Sequence, residues 1–501
     1  HKEYRRQRQM CIRDSLYGRA VKSVDRYGIV LDTTYDPKCG VVSAIRTSGP
    51  GVTPTVETYA YDKVCRSQST AIDGRTVAAM TFNGDGSTRT IAYGNGQTVT
   101  FGYDERGVAS AANWTGPGGS TYANTLTMSA AGNVSAQTIV ANGKSSTFQY
   151  AHDSAGHLST ATVSAGLVDA SRTWAWSFDA RSNRTGQTTV VGGGAPVAYT
   201  YAYDAADRLV STTDPAATSG LTYDDFGNAT KVGGDSFTYD AMANVTSMTD
   251  GTTTVAYARD VTGSVVAKTI TDDKGTTVQR YAAGGIVLDG ENRPVARQSG
   301  LPGGVTFTTW YGGQSVPRWQ FTNLDGDAFF LTDDAGAQVG TVQVWDPYGQ
   351  LLTTVDAPLP GVPNTQWQGA TGADSTTLGT PVVLLGARIY VPALGRFVQL
   401  DPKIGGGVNG YDYANQDPVN LADPSGQSFL DWLPTILVGI ATAVASILAP
   451  PASGFFVGLA VGALIGAVGY AATWGLEQAF NMDTKFSFVQ LGMTGMARRV
   501  C

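Results

Sequence analysis

Two Asp-Pro pairs, Asp401-Pro402 and Asp423-Pro424, stand 22 positions apart toward the C-terminal end of the chain. Two carboxyl groups brought close together cannot both ionise easily, so one keeps a proton and acts as an acid while the other acts as a base on a peptide bond. Arg396, within Gly395-Arg396-Phe397, is placed to hold one carboxylate ionised or to orient it. The same residues have a plainer explanation, because Asp at the first and Pro at the second position of Asp-Pro-x-Gly favour a type I turn. Both explanations require elements that fix where these aspartates sit.

Other catalytic patterns fail on their own chemistry. Gly143-Lys144-Ser145 lacks the upstream glycine of a phosphate-binding loop, since Thr138 occupies that position. His152 and His157 fall on and just after a turn and are expected as solvated side chains rather than ligands. Gly192-Gly193-Gly194 and Gly405-Gly406-Gly407 open no helix of the dinucleotide-binding type and read as loops. The cysteines, Cys11, Cys39, Cys65 and Cys501, are widely spaced with no CxxC pair, so neither a disulfide scaffold nor structural zinc is expected. No metal or cofactor is implied.

The chain has 501 residues, of which only 15% are charged, with 62 Gly and 23 Tyr. Tyr and Thr suit a pleated surface and Gly supplies turns, so the expected class is mainly β. A formal net charge of −7 argues against nucleic acid as a partner, which calls for a basic surface. Residues 1–15 differ, with Arg5, Arg6, Arg8 and Arg13 clustered and Met10 to Ser15 reading like a translated transposon-type sequencing adapter. They are set aside from fold reasoning, and export cannot be judged from that end.

One unit recurs along residues 16–280: an alternating run ending in an aromatic residue, then Asp, two or three residues, Gly or Asn, and another alternating run. It occurs at Tyr35-Asp36, Tyr61-Asp62, Tyr103-Asp104, Tyr150 to Asp153, Phe178-Asp179, Tyr203-Asp204, Tyr223-Asp224, Tyr239-Asp240 and Tyr257 to Asp260. In FGYDERG, Asp104 accepts from backbone amides in an Asx-type turn and Gly107 takes the left-handed conformation, so each unit is a hairpin. A lone hairpin is barely stable, so the units are expected to pair edge to edge and stack their tyrosines into one continuous sheet.

These repeats resemble the YD repeats of Rhs proteins, of the C components of insecticidal Tc toxin complexes, and of teneurins. Phe321 to Gln350 and Arg388 to Gly426 resemble the Rhs repeat-associated core, through Gly395-Arg396-Phe397, Asp401-Pro402, Asn409-x-Tyr411-x-Tyr413, Asp417-Pro418-Val419-Asn420 and Asp423-Pro424-Ser425-Gly426. The resemblance covers residues 16–427 and implies hairpins wound into a spiral sheet or hollow shell around a toxic C-terminal polypeptide. It also implies self-cleavage by Asp401 and Asp423, with Arg396, between Gln427 and Ser428. The chain departs from the family pattern at Ile404, where Gly is expected, at Gln427, where Leu is usual, and at Val391, where Asp is expected.

Beyond Gly426 the composition changes. Residues 432–474 carry no charge, and Pro450-Pro451 divides them into two apolar arms. Gly458, Gly462, Gly466 and Gly469 recur at steps that permit close helix packing, so an apolar helical hairpin is expected, and the second arm is long enough to cross a membrane.

The expected organisation is a YD-repeat β shell over 16–300, a repeat-associated core over 301–427 and a variable region with the helical hairpin over 428–501. The expected function is to enclose and deliver the C-terminal region in competition between cells, from a secreted or cell-surface location. Its partners would be that region, a secretion apparatus, an immunity protein and a membrane through 433–474. The rival expectation is a cell-surface adhesion protein that binds carbohydrate on its tyrosines and is anchored by the apolar tail.

Overall fold

Each recurring Asp closes a hairpin by the same set of bonds. In the computed structural model, which describes residues 11–14, 19–218, 220–313, 315–354, 356–402 and 409–426, the Asp104 N–H donates to Val108 O (2.9 Å) and the Gly107 N–H to Asp104 O (3.0 Å). The Asp104 carboxylate accepts from the N–H groups of Arg106 and Val108 at 2.9 Å each. Gly107 lies at φ 79°, and the pairing register slips between Ala109 and Ala111, so the hairpin is a type I turn followed by a bulge. The expected turn chemistry is therefore present. It also recurs where no Tyr-Asp announces it, at Asn83, Asp289, Asn323, Asp333 and Asp346.

Hairpins so closed pair strictly in sequence order. Eighteen strands, from Cys11–Asp14 to Leu209–Thr212, form one antiparallel sheet, and thirteen, from Leu221–Tyr223 to Gln338–Val339, form a second. Asp374–Thr377, Pro381–Leu385, Arg388–Val391 and Arg396–Phe397 make a third, four-stranded sheet. No α-helix occurs among the described residues, and none of their helices is long and apolar enough to cross a membrane. The helical hairpin expected beyond Gly426 lies outside the described residues.

The repeat tyrosines link units in a way the sequence reading missed. The recurring contact is hydroxyl to carbonyl, not ring on ring: Tyr61 donates to Val42 O (2.6 Å), Tyr103 to Thr88 O (2.6 Å), Tyr203 to Arg184 O (2.8 Å) and Tyr239 to Ala229 O (2.6 Å). Each acceptor is the first residue of the strand that follows the preceding turn. The ring thus lies along the sheet and the hydroxyl satisfies a carbonyl left over by the bulge region.

The C-terminal third packs on the sheets. Tyr122 stacks on Phe330 at 3.8 Å, Trp114 meets Phe329 edge-on, and the Tyr93 hydroxyl donates to Pro302 O (2.8 Å). Val382, Leu384, Ile389 and Val398 bury against Val232, Phe237 and Val255 of the second sheet. Two ion pairs add register, Arg297 with Glu57 and the fully enclosed Lys268 with Asp374, each at 2.7 Å.

Two expectations are corrected. Cys39 and Cys65 form a disulfide, because each follows its Asp by three residues in adjacent same-side turns, and pairing brings their Cα atoms to 5.5 Å despite 26 residues of separation. The histidines are not solvated: His152 Nε2 meets Asp417 Oδ1 at 3.0 Å, and His157 bridges Asp153 and Ser182. Both are drawn in by the segment and turns packed over them.

Candidate functional site

The strand Arg388–Val391 begins immediately after a glycine turn at Gly386. Gly386 and Gly426 both lie at positive φ, and a Cβ on either would strike the opposite backbone, at Ser425 O and Leu385 O respectively. This close approach carries residues 425–426 directly past Arg388. The Arg388 Nε donates to Gly426 O (2.6 Å) and its Nη1 to Gly410 O (3.1 Å).

Both predicted aspartates converge on the same guanidinium. Arg388 Nη2 lies 2.9 Å from Asp401 Oδ2 and 2.9 Å from Asp423 Oδ2, so the two carboxylates stand within twice that distance of each other. Asp401 is placed by pairing of its N–H to Gly410 O (2.8 Å), at the end of the segment that follows Arg396–Phe397. Asp423 is placed by the turn it opens, since the Gly426 N–H donates to Asp423 O (3.3 Å) and the Ser425 hydroxyl to Asp423 Oδ1 (3.1 Å). The turn explanation therefore holds at the second Asp-Pro while the carboxyl still faces the site. Residues 403–408 and the expected Gln427-Ser428 bond lie outside the described residues.

Arg396 does not take the expected place. Its Nη2 donates to Asp207 O (2.7 Å) and its guanidinium lies over the rings of Tyr203 and Tyr411, at 4.8 and 5.0 Å. The two arginines sit on paired strands, Arg396 opposite Val391, and Arg388 is the one whose side chain enters the carboxylate pair. Burial pulls the Arg388 guanidinium below its ordinary value, opposed first by Asp423 and then by Asp401.

A third carboxyl, overlooked in the sequence, completes the site. Asp412 lies between Tyr411 and Tyr413, is 8% exposed, and its Oδ2 has no hydrogen-bond partner. Burial pushes this carboxyl up to about 7, against Arg388 and Arg396 and with help from the charges of Asp401 and Asp423. The site thus gathers two carboxyl groups on one guanidinium beside a third whose proton burial favours. That set contains both a base and an acid for peptide-bond chemistry. Alternation in the sequence hides it, since an Asp between the inward Tyr411 and Tyr413 reads as solvent-facing, whereas its backbone is bridged to Arg396 and its carboxyl is buried.

The fold that holds the site, large antiparallel β sheets, is similar to that of Tc toxin proteins. The TcdB2–TccC3 complex matches with a TM-score of 0.66 at 16% identity, over 82% of this chain and 24% of that one. The Tc holotoxin pore of Photorhabdus luminescens matches with a TM-score of 0.60 at 14% identity, over 83% of this chain and 27% of that one. In sequence, the chain is similar to the tRNA nuclease WapA of Bacillus subtilis, 26% identical over 268 residues, or 50% of this chain and 11% of that protein. The tRNA3(Ser)-specific nuclease WapA of Bacillus spizizenii matches to the same extent. The chain thus spans about a tenth of the length of these relatives. No family model matches it.

Proposed function

We propose that the chain is part of a polymorphic-toxin delivery shell: a YD-repeat wall that encloses its own C-terminal region and releases it by cutting between Gln427 and Ser428. The observation that carries this reading is the knot at Arg388, which grips Asp401, Asp423 and the carbonyl of Gly426, one residue before the bond to be cut. In hydrolysis, a water held by one carboxylate attacks the Gln427 carbonyl, the carboxylate takes its proton, and a protonated carboxyl delivers a proton to the departing Ser428 amine. The likeness to Tc toxin shells and WapA nucleases supports delivery of a toxic segment, with a secretion apparatus and an immunity protein as the implied partners. The Cys39–Cys65 bridge supports a secreted or cell-surface location, since disulfides persist in oxidising compartments.

The test is the intact mass of the full chain under denaturing conditions, beside Asp401→Asn and Asp423→Asn. Two fragments meeting at Gln427-Ser428 in the parent, and one uncut chain in both variants, are expected. A single uncut chain in all three removes cleavage from the reading, and the shell then holds its C-terminal region without releasing it.

A further inference from the structure

The Asp-led turns that follow alternate strands of the antiparallel sheets fall on the same side of the wall. In most of them the residue two places after the Asp is polar or small, as at Arg106, Ala155, Arg181 and Ala206. Three consecutive turns of the second sheet carry a large apolar residue instead, two places after the Asp at Phe226 and Met242 and one place after it at Val261, where Thr262 fills the second place. They present Phe226 (77% exposed), Met242 (75%) and Val261 (96%), next to Leu400 (44%). Free chain tips have no packing reason to be apolar, and large side chains this exposed on successive same-side turns mark an interaction surface.

The row adjoins the candidate site. The Ala229 N–H donates to Val398 O (2.7 Å), Gln399 Nε2 donates to Ala243 O (3.0 Å), and the Tyr411 hydroxyl donates to Gly227 O (2.6 Å). The segment that ends in Leu400 and Asp401 is therefore laced to the turns bearing Phe226 and Met242. Arg388 joins Asp401 to Gly426, where the chain leaves toward its uncharged stretch.

Lengths agree. Same-side turns are two strands apart, roughly 10 Å, so the three tips span about 20 Å. The seven residues from Gly426 to Leu433 reach at most about 25 Å. Arg388 ties Gly426 to Asp401 and Leu400 lies against Gly227, so the apolar stretch 433–474 starts on the Phe226 side of the row and is long enough to run along it.

We propose that Phe226, Met242, Val261 and Leu400 form the docking surface for the chain's own apolar stretch, within 433–474. The inference rests on the reading that the C-terminal region is retained, and it states where the wall receives it. A row of four apolar side chains matches a segment that has no charge to pair, and until the bond after Gln427 is cut the covalent link keeps that segment at high local concentration.

The experiment uses the full chain with benzoylphenylalanine in place of Val261, and separately in place of Val64, an exposed apolar tip elsewhere on the wall. Photo-crosslinks from position 261 to peptides of 433–474, and none from position 64, are expected. In parallel, elastase cleavage within 433–474 is timed in the parent and in Phe226→Ser/Met242→Ser/Val261→Ser, whose exposed positions leave the core intact. At least a tenfold faster cleavage in the triple variant supports the proposal. Equal protection in both chains overturns it while leaving retention standing, because the stretch is then held elsewhere. Rapid cleavage in both overturns docking and retention together, and crosslinks to a second copy assign the row to self-association instead.

Discussion

Arg388 serves four acceptors, and no other side chain could. Its planar fork reaches Gly426 O, Gly410 O, Asp401 and Asp423 at once, with the cation 4% exposed. Replacing it with Gln leaves two buried carboxylates without their counter-charge, at a cost of about 3–5 kcal/mol. Arg388→Lys keeps the charge but offers a single point of donation and should fall between the parent and Arg388→Gln. Urea denaturation of the three chains checks the order, and equal midpoints would remove the knot from the account. The aspartates of this site were legible because Asp-Pro is a conspicuous pair. The arginine was not, since a lone Arg at the head of a strand carries no signature, and the nearer candidate, Arg396, is drawn away by the rings of Tyr203 and Tyr411. Asp412 was hidden for the opposite reason: a charged residue between two tyrosines reads as solvent-facing until the bridge to Arg396 turns it inward.

The hairpin is the unit in which sequence and structure agree best, because its turn is closed by local bonds. Where Gly is absent from the left-handed position, the strain is visible: Ala243 sits there at φ 60°. Ala243→Gly should raise stability by about 1 kcal/mol, read as a shift in the urea midpoint, since glycine carries no Cβ penalty in that region. Links between hairpins were less legible. The tyrosine hydroxyl bonds to a backbone carbonyl, which no residue type advertises, and the Cys39–Cys65 bridge depends on turns two strands apart falling on the same side. Closing a loop of 26 residues contributes about 3.5 kcal/mol in the chain-entropy picture. Cys39→Ala/Cys65→Ala should lose an amount of that order, and reduction of the parent should reproduce the loss.

Across the molecule, two populations of acids oppose each other as pH changes. In the turns, hydrogen bonds from the hairpin amides and neighbouring side chains outweigh desolvation and lower the carboxyls of Asp104, Asp204, Asp240 and Asp289, so their contribution is present above the usual Asp value and is lost as pH falls through their depressed values. In the interior, burial raises Asp346 to about 6 and Asp412 to about 7 and shifts the neighbouring Asp325 and Asp327 upward as well. A raised carboxyl contributes stability that is complete below its unfolded value and is lost as pH climbs through the folded one. His152, raised chiefly by its bond to Asp417, adds to the loss on the alkaline side. The melting temperature should therefore peak near pH 5 and decline toward both pH 3 and pH 8. A profile flat from pH 5 to 8 would mean that the interior acids are solvated, and Asp412→Asn should flatten the alkaline limb in part. The tyrosine links give the wall a direction, because Tyr61, Tyr103, Tyr203, Tyr223 and Tyr239 each donate to a strand of the preceding unit. The segment that ends in Asp401 likewise takes its footing on the turns at Gly227 and Ala243, through Tyr411 and Gln399. Under the proposed function the cutting residues are thus seated by the wall itself, and a wall without those turns has no place to hold its own blade.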